Sequence, residues 1–206
     1  MSPAAPTPCA RGEIWLVRHG QTEWSRTGRH TGRTDIGLTV IGEDEAKALA
    51  EPLASHAFGL ALSSPLIRAR HTAELAGMTE VSTDARLLEW DYGGWEGMTT
   101  DEIRAQRHDE KWTIWSSPVP PGTTMGEQAT EVASRTGALL SELRPVLSSG
   151  NDVILFAHGH VLRILTATWI GLPAVDARLW ALDPARVSIL GHEHEQQVVR
   201  QWNGRP

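Results

Sequence analysis

The chain has 206 residues, of which 40% are hydrophobic and 21% are charged, so it can bury a core and is neither fibrous nor disordered. Nineteen basic and 25 acidic residues give a net charge of −6, which disfavours nucleic acid as a partner. Cys9 is the single cysteine, so an intramolecular disulfide is excluded, and no apolar run has the length that a membrane span needs.

The first residues of the chain predict a flexible tail. Residues 1–12 are rich in Pro and Ala, and they have neither the basic start nor the apolar stretch of a secretory signal. We therefore expect a tail over 1–12, a single domain over 13–206, and a cytoplasmic protein with no membrane partner.

Short apolar runs then alternate with helical patterns. Runs at 14–17, 60–62 and 153–156 each stop at polar residues, as buried parallel strands do. The first predicted helix starts at Val40, after an N-cap at Thr39, and should kink or end at Pro52. Three further helices are predicted over 66–76, through 132–147, and from His160 to Gly171.

The end of the chain predicts a hairpin. Residues 187–190 and 197–200 read as its two strands, around a turn at Gly191. Strands that alternate with helices predict an α/β fold, a three-layer sandwich whose mostly parallel central sheet is flanked by helices.

Polar groups follow three of the predicted strands. They are Arg18, His19 and Gly20 after the first strand, Ser63, Ser64 and Arg68 after the second, and His158, Gly159 and His160 after the third. Because the carboxyl ends of parallel strands meet at one edge of a sheet, we expect these groups to converge on a ligand.

The residue types at these strand ends fit a phosphate. Arginine offers forked donors to a tetrahedral anion, and Gly20 and Gly159 would let backbone N–H groups approach it. A neutral imidazole can attack phosphorus when its proton sits on the other nitrogen and is held by a backbone carbonyl.

Other uses of these residues compete with phosphate chemistry. His158 with His160, and His192 with His194, are short pairs that could bind a metal, but the arginines near the first pair would repel a dication. His192 and His194 are most simply surface residues of the hairpin turn. Ser63 and Ser64 lack the glycines of a nucleophile elbow, and Cys9 has no paired base.

Four blocks in order resemble the histidine phosphatase superfamily, the phosphoglycerate-mutase-like enzymes. They are residues 16–24 (LVRHGQTEW) with 31–39 (TGRTDIGLT), 64–73 (SPLIRARHTA), 88–93 (LEWDYG) and 157–163 (AHGHVLR). The resemblance covers nearly all of residues 13–202 and implies the three-layer α/β fold already expected.

The resemblance implies a role for each matching residue. His19 would be the nucleophile that becomes phosphohistidine, Arg18 and Arg68 would clamp the phosphoryl oxygens, and His158 would stabilise the charge in transfer. Glu89 would protonate the leaving oxygen and then activate water. The implied substrate-binding residues are Gln21, Ser25, Thr31, Gly32, Tyr92, Gly159 and His160, with Ser25 standing where many relatives carry Asn.

The expected activity is a phosphomonoesterase that needs no metal or other cofactor. Residues 89–100 are similar to sugar-phosphate and acid phosphatases, so a sugar phosphate or bisphosphate is the favoured small-molecule substrate. A mutase would have a longer insertion between Gly97 and His158, and Gly122-Thr123-Thr124 stands where phosphatases often have Gly-Glu-Ser. A phosphoglycerate mutase-type transferase and a low-turnover binding module remain alternatives, and a homodimer is the expected assembly.

Between Thr99 and Gly122 the sequence predicts a short helix and then a Pro/Gly-rich loop that carries Trp112 and Trp115. They could form a lid or a wall on which a sugar stacks, or they could pack in the core.

Overall fold

The computed structural model describes residues 11–205, so Cys9 and most of the predicted tail lie outside the described residues. Its six strands are β1 (Ile14–Arg18), β2 (Phe58–Ser63), β3 (Ser82–Thr83), β4 (Asp152–Ala157), β5 (Val187–Glu193) and β6 (Gln196–Gly204). They form one sheet in the order β3-β2-β4-β1-β5-β6.

The sheet is parallel in its larger part. β1 pairs parallel with β4, β4 with β2, and β2 with β3, whereas β5 and β6 are added antiparallel beside β1. In the central pair, Arg18 lies opposite Ala157. The residues that follow β1 and β4 therefore emerge side by side at the same edge, as expected from the sequence.

Seven α-helices accompany the sheet in the described part of the chain. They are α1 (Glu23–Arg26), α2 (Val40–Lys47), α3 (Ala50–Ala54), α4 (Ile67–Leu75), α5 (Thr100–Arg107), α6 (Ala129–Ser148) and α7 (Gly159–Trp169). Thr39 caps α2 as expected, since its hydroxyl accepts the N–H of Gly42 at 3.1 Å.

Two apolar clusters separate the three layers. On one face, α6 and α7 cover the inward side chains of β1 and β4, including Leu16 and Leu155. On the other face, Leu49, Leu53 and α4 pack on Val17 and its neighbours in β4. The alternation of Leu16 and Val17 between the two clusters follows from the two-residue period of a strand. The predicted α/β three-layer fold with a mostly parallel sheet is confirmed.

Three local predictions differ from the structure. Gly12 is buried and its N–H donates to Leu147 O at 2.8 Å, so the packed chain includes this residue of the predicted tail. Pro52 does not end α2, which stops at Lys47; it lies in the first turn of α3, where no N–H is needed. The hairpin turn lies beyond Gly191, which is part of β5.

The two histidines predicted to lie in the hairpin turn occupy different positions in the structure. His192 lies in β5, and its ring packs edge-on against Trp169 at 5.1 Å between centroids. His194 occupies the turn with a left-handed backbone, at φ 52°. The interpretation as surface turn residues is therefore wrong for His192.

Within residues 11–205, none of the helices combines the length and the apolarity that a membrane crossing requires.

Candidate active site

The end of β1 presents His19 to a cavity of about 240 Å³. His19 is 5% exposed, and its Nδ1 lies 2.7 Å from Gly20 O. Because a carbonyl oxygen only accepts, Nδ1 carries the proton and Nε2 keeps its lone pair. Burial, followed by the charges of Arg68 and Arg18, holds the pKa of His19 well below its usual value. The imidazole is therefore neutral and set up as a nucleophile.

Gly20 serves packing rather than the ligand. Its N–H donates to Thr72 Oγ1 at 3.1 Å, and an added Cβ would lie 2.2 Å from Gly42 O in α2. The expectation that the Gly20 N–H approaches a phosphate is wrong, because close contact with α2 uses this glycine. Gly159, in contrast, is the first residue of α7 and lines the cavity.

Arg18 lies in the cavity wall beside Gly159. Its Nη1 donates to Leu182 O, while its Nε is buried and has no partner within residues 11–205. A Cβ placed on Gly159 would be 3.4 Å from that Nε, so the free donor lies at the N-terminal end of α7. A buried N–H without an acceptor, next to a helix N-terminus, provides a place for an anion.

Arg68 and His158 are beside His19 but do not open on the cavity. Both are 0% exposed, and the His158 ring meets the His19 ring edge-on at 5.1 Å between centroids. Arg68 Nε donates to His158 Nδ1 at 3.0 Å, which leaves the proton of His158 on Nε2, directed to Ser64 Oγ at 2.8 Å. Arg68 thus places a positive charge behind the His19 ring, and His158 packs against that ring.

The remaining donors of Arg68 meet the chain that follows α1. Nη1 donates to Thr34 O at 2.9 Å, and Nη2 donates to Gly32 O at 3.0 Å and Thr31 O at 3.2 Å. A guanidinium has five N–H groups, so these contacts and the bond to His158 leave one Nη1 hydrogen for a further acceptor.

Glu89 reaches the cavity from the loop after β3. Its Oε1 accepts the N–H groups of Trp90 and Val161, each at 2.8 Å, and its Oε2 accepts the N–H of His160 at 3.0 Å. Two of these donors belong to the first turn of α7, where a carboxylate is favoured. The helix that begins after His158 therefore also fixes Glu89.

The other sequence-predicted binding residues divide into two groups. Thr31, Tyr92, Gly159, His160 and Ser25 line the cavity, although the Ser25 hydroxyl caps α1 together with Thr22. Gln21 does not line it, and its Oε1 accepts from Thr39 Oγ1 at 3.0 Å. Gly32 also lies behind the wall, where its N–H donates to Glu96 at 2.9 Å and a Cβ would collide with Trp90 O at 2.6 Å.

Sequence reasoning missed the residues that support this wall. Glu96 also accepts the N–H of Thr34 at 3.0 Å, so it holds the segment that covers Arg68. Arg135 of α6 donates to the carbonyls of Leu88 at 2.8 Å and Glu89 at 3.2 Å, and Glu127 binds Arg135 at 2.8 Å. No spacing signal could have found the bonds of Glu96 to Thr34 or of Arg135 to Leu88 and Glu89, because these partners are 46 or more positions apart in the chain.

His30 and Arg163 also line the cavity and were not predicted to do so. Arg163 lies 4.9 Å above the Trp115 ring, and it has no carboxylate partner within residues 11–205. Trp115 belongs to an adjoining cavity of about 410 Å³ that shares His30 and His160 with the first. Trp112 is buried and its Nε1 donates to Ser117 at 2.6 Å, so it is a core residue.

No three His, Cys, Asp or Glu side chains come together as ligands for a metal ion in the part of the chain that the structure describes. The positive charge around His19 comes instead from the two arginines that lower its pKa.

Comparison with known proteins identifies relatives of this chain. A sequence model of the histidine phosphatase superfamily (branch 1) matches residues 14–205. An acid phosphatase of Mycobacterium tuberculosis is 34% identical over 197 residues, which are 94% of each chain. A sedoheptulose 1,7-bisphosphatase of Saccharomyces cerevisiae is 34% identical over 181 residues, covering 76% of this chain and 67% of the relative.

Two further comparisons extend this result. A 2,3-bisphosphoglycerate-dependent phosphoglycerate mutase of Rhizobium meliloti is 38% identical over 165 residues, covering 75% of this chain and 77% of the relative. The solved structure of an open reading frame from Mycobacterium tuberculosis is 32% identical and superimposes with a TM-score of 0.85, covering 93% of this chain and 97% of that one. The prediction of a phosphatase enzyme is confirmed. By its sequence blocks, its fold and these relatives, the chain belongs to the histidine phosphatase superfamily, branch 1.

Proposed function

We propose that this enzyme hydrolyses small phosphate monoesters without a metal, through a phosphohistidine at His19. The observation that carries the proposal is the bond between His19 Nδ1 and Gly20 O, which leaves the Nε2 lone pair for a substrate in the cavity. The unpartnered Nε of Arg18 and the start of α7 lie in the same wall and suit the phosphoryl oxygens.

The reaction has two displacements at phosphorus. His19 Nε2 forms a bond to phosphorus while the P–O bond to the leaving group breaks, and the protonated Glu89 carboxyl gives its proton to the leaving oxygen. Water then attacks phosphorus and passes a proton to Glu89, the P–N bond breaks, and inorganic phosphate leaves. Both steps occur at one histidine, so the configuration at phosphorus is retained.

Arg68 and His158 act in this proposal from behind the nucleophile. Arg68 keeps His19 neutral and holds His158 by a hydrogen bond to its Nδ1. Because Arg68 is buried and does not open on the cavity, we assign the phosphoryl oxygens to Arg18 and the start of α7. Phosphoryl transfer mainly asks for positioning and charge stabilisation, which the arginines supply in place of a cation.

The substrate that we favour is a sugar phosphate or bisphosphate. Acid phosphatase and sedoheptulose bisphosphatase are the names of two relatives. Arg163 supports a second anionic group, because it lines the cavity and is not neutralised by a carboxylate there. We also propose a homodimer and a cytoplasmic location; sedimentation of the purified protein and fractionation of cells test them.

Trapping of the intermediate tests the proposal. Enzyme mixed with a ³²P-labelled ester and quenched in alkali should carry label on His19, since phosphohistidine survives base and not acid. His19→Ala should carry none, whereas His194→Asn, a change at the exposed hairpin turn, should label normally. Unlabelled wild-type enzyme during turnover would contradict covalent catalysis.

A mutase is the second candidate, supported by the phosphoglycerate mutase relative. Release of inorganic phosphate without a bisphosphate primer indicates a phosphatase, whereas isomerisation of phosphoglycerate that depends on the primer indicates a mutase. A binding module would keep its ligand affinity in His19→Ala and show no turnover in either form.

A further inference from the structure

Two histidines that the mechanism does not use face the cavity that contains His19. His30 and His160 both line it, and both also line the adjoining cavity that holds Trp115. Their rings lie against Tyr92, at 5.0 Å and 5.8 Å between centroids. They therefore border the space into which the leaving group of a bound ester must extend.

The hydrogen bonds of His30 fix its tautomer. Its Nδ1 lies 2.8 Å from Met98 O, and its backbone N–H donates to the same oxygen at 2.9 Å. Since a carbonyl oxygen only accepts, Nδ1 carries the proton and Nε2 is a bare acceptor. Burial lowers the pKa of His30, which keeps the ring in this neutral form.

The opposite tautomer is fixed at His160. The Tyr92 hydroxyl bonds to His160 Nδ1 and has no other partner within residues 11–205. Among residues 11–205, Nδ1 of His160 is the acceptor within reach of the Tyr92 O–H, so the arrangement that satisfies both groups has the hydroxyl donating to Nδ1. The proton of His160 therefore sits on Nε2, which is a donor. Burial and the nearby Arg163 hold the pKa of His160 well below its usual value.

We propose that His30 and His160 select the leaving group, His30 as acceptor and His160 as donor, so that the enzyme favours esters whose leaving group carries hydroxyl groups. A hydroxyl both donates and accepts, and it matches such a pair. An alkyl group would leave both nitrogens without partners. This inference rests on the proposed phosphatase function and adds the residues that determine its specificity.

A matched pair of substrates tests the proposal. Glycerol 3-phosphate and n-propyl phosphate have the same carbon chain, and they differ in two hydroxyl groups. The ratio of their kcat/KM values in the wild-type enzyme should exceed about ten, as expected when a site hydrogen-bonds a substrate hydroxyl. His30→Phe and His160→Phe should each lower this ratio at least about tenfold, and the control His194→Asn should not change it.

A second measurement needs no variant. Imidazole ¹⁵N shifts of the wild-type enzyme at neutral pH should show the Nδ1–H tautomer at His30 and the Nε2–H tautomer at His160. A wild-type ratio near one, unchanged ratios in both folded variants, or the same tautomer at both rings would overturn this inference alone. Failure to hydrolyse any ester, p-nitrophenyl phosphate included, would overturn the proposed function and this inference with it.

Discussion

Replacement of Glu89 by Gln tests the acid–base role with a nearly isosteric side chain. The carboxylate accepts three backbone N–H groups, from Trp90, His160 and Val161. The amide oxygen can take the place of Oε1, but the amide nitrogen then faces the N–H of His160, and two donors meet.

The structural cost of Glu89→Gln follows from these contacts. One backbone N–H loses its acceptor and the start of α7 loses a negative charge, which together destabilise the fold by about 2 kcal/mol. For a chain of this size the melting temperature should fall by about 4–8 °C. The exposed Glu74→Gln change on α4 should stay within about 0.5 kcal/mol.

The kinetic effect of Glu89→Gln should depend on the leaving group. An alkoxide needs a proton as it leaves, so kcat/KM for n-propyl phosphate should fall by about 10²–10⁴. p-Nitrophenolate leaves without a proton, so kcat/KM for p-nitrophenyl phosphate should fall less than about tenfold. kcat/KM is the quantity to compare, because it reports the steps up to formation of the phosphohistidine. Hydrolysis of that intermediate is the same for both esters and does not enter kcat/KM. Equal losses for both esters would refute the role of Glu89 as the acid.

Three further predictions follow from the site. His19, His30, His158 and His160 have lowered pKa values in the fold, so the unfolded chain binds more protons below its histidine pKa of about 6.5. The free energy of unfolding should therefore be at its full value above that pH and decrease as the pH falls toward the lower pKa values of the folded state. Thermal melts between about pH 5 and 8 that show no decrease toward the acid side would contradict this. Vanadate should inhibit hydrolysis by occupying the phosphoryl site, while a chelator should not inhibit it. Activity that is lost in chelator and restored by a metal ion would instead support a metal site. Arg135→Met should cost about 1–3 kcal/mol in denaturant unfolding and lower kcat/KM, because the carbonyls of Leu88 and Glu89 lose their donor while Glu127 keeps Arg33; Arg144→Met on the exposed face of α6 should cost little.

The sequence by itself determined the fold class and the location of the chemistry. Apolar runs of strand length and helices of amphipathic period are local patterns, and the parallel pairing rule then brings the ends of β1 and β4 together. His19 and Arg18 could be placed at one site for that reason, whereas Glu89 was placed there by the resemblance to the histidine phosphatase superfamily; all three line one cavity. The smaller errors, at Pro52 and at the turn after β5, concern the ends of elements, where local signals are weakest.

Only the tertiary structure decided how the donors and acceptors are shared. Arg68 is 90 positions from His158, and Arg33 is 94 positions from Glu127, to which it donates at 3.2 Å. No periodicity links such pairs, since each buried polar atom takes whichever partner the packed chain brings within reach. The same holds for the two tautomers beside Tyr92, which depend on the single acceptor or donor that the fold places next to each Nδ1.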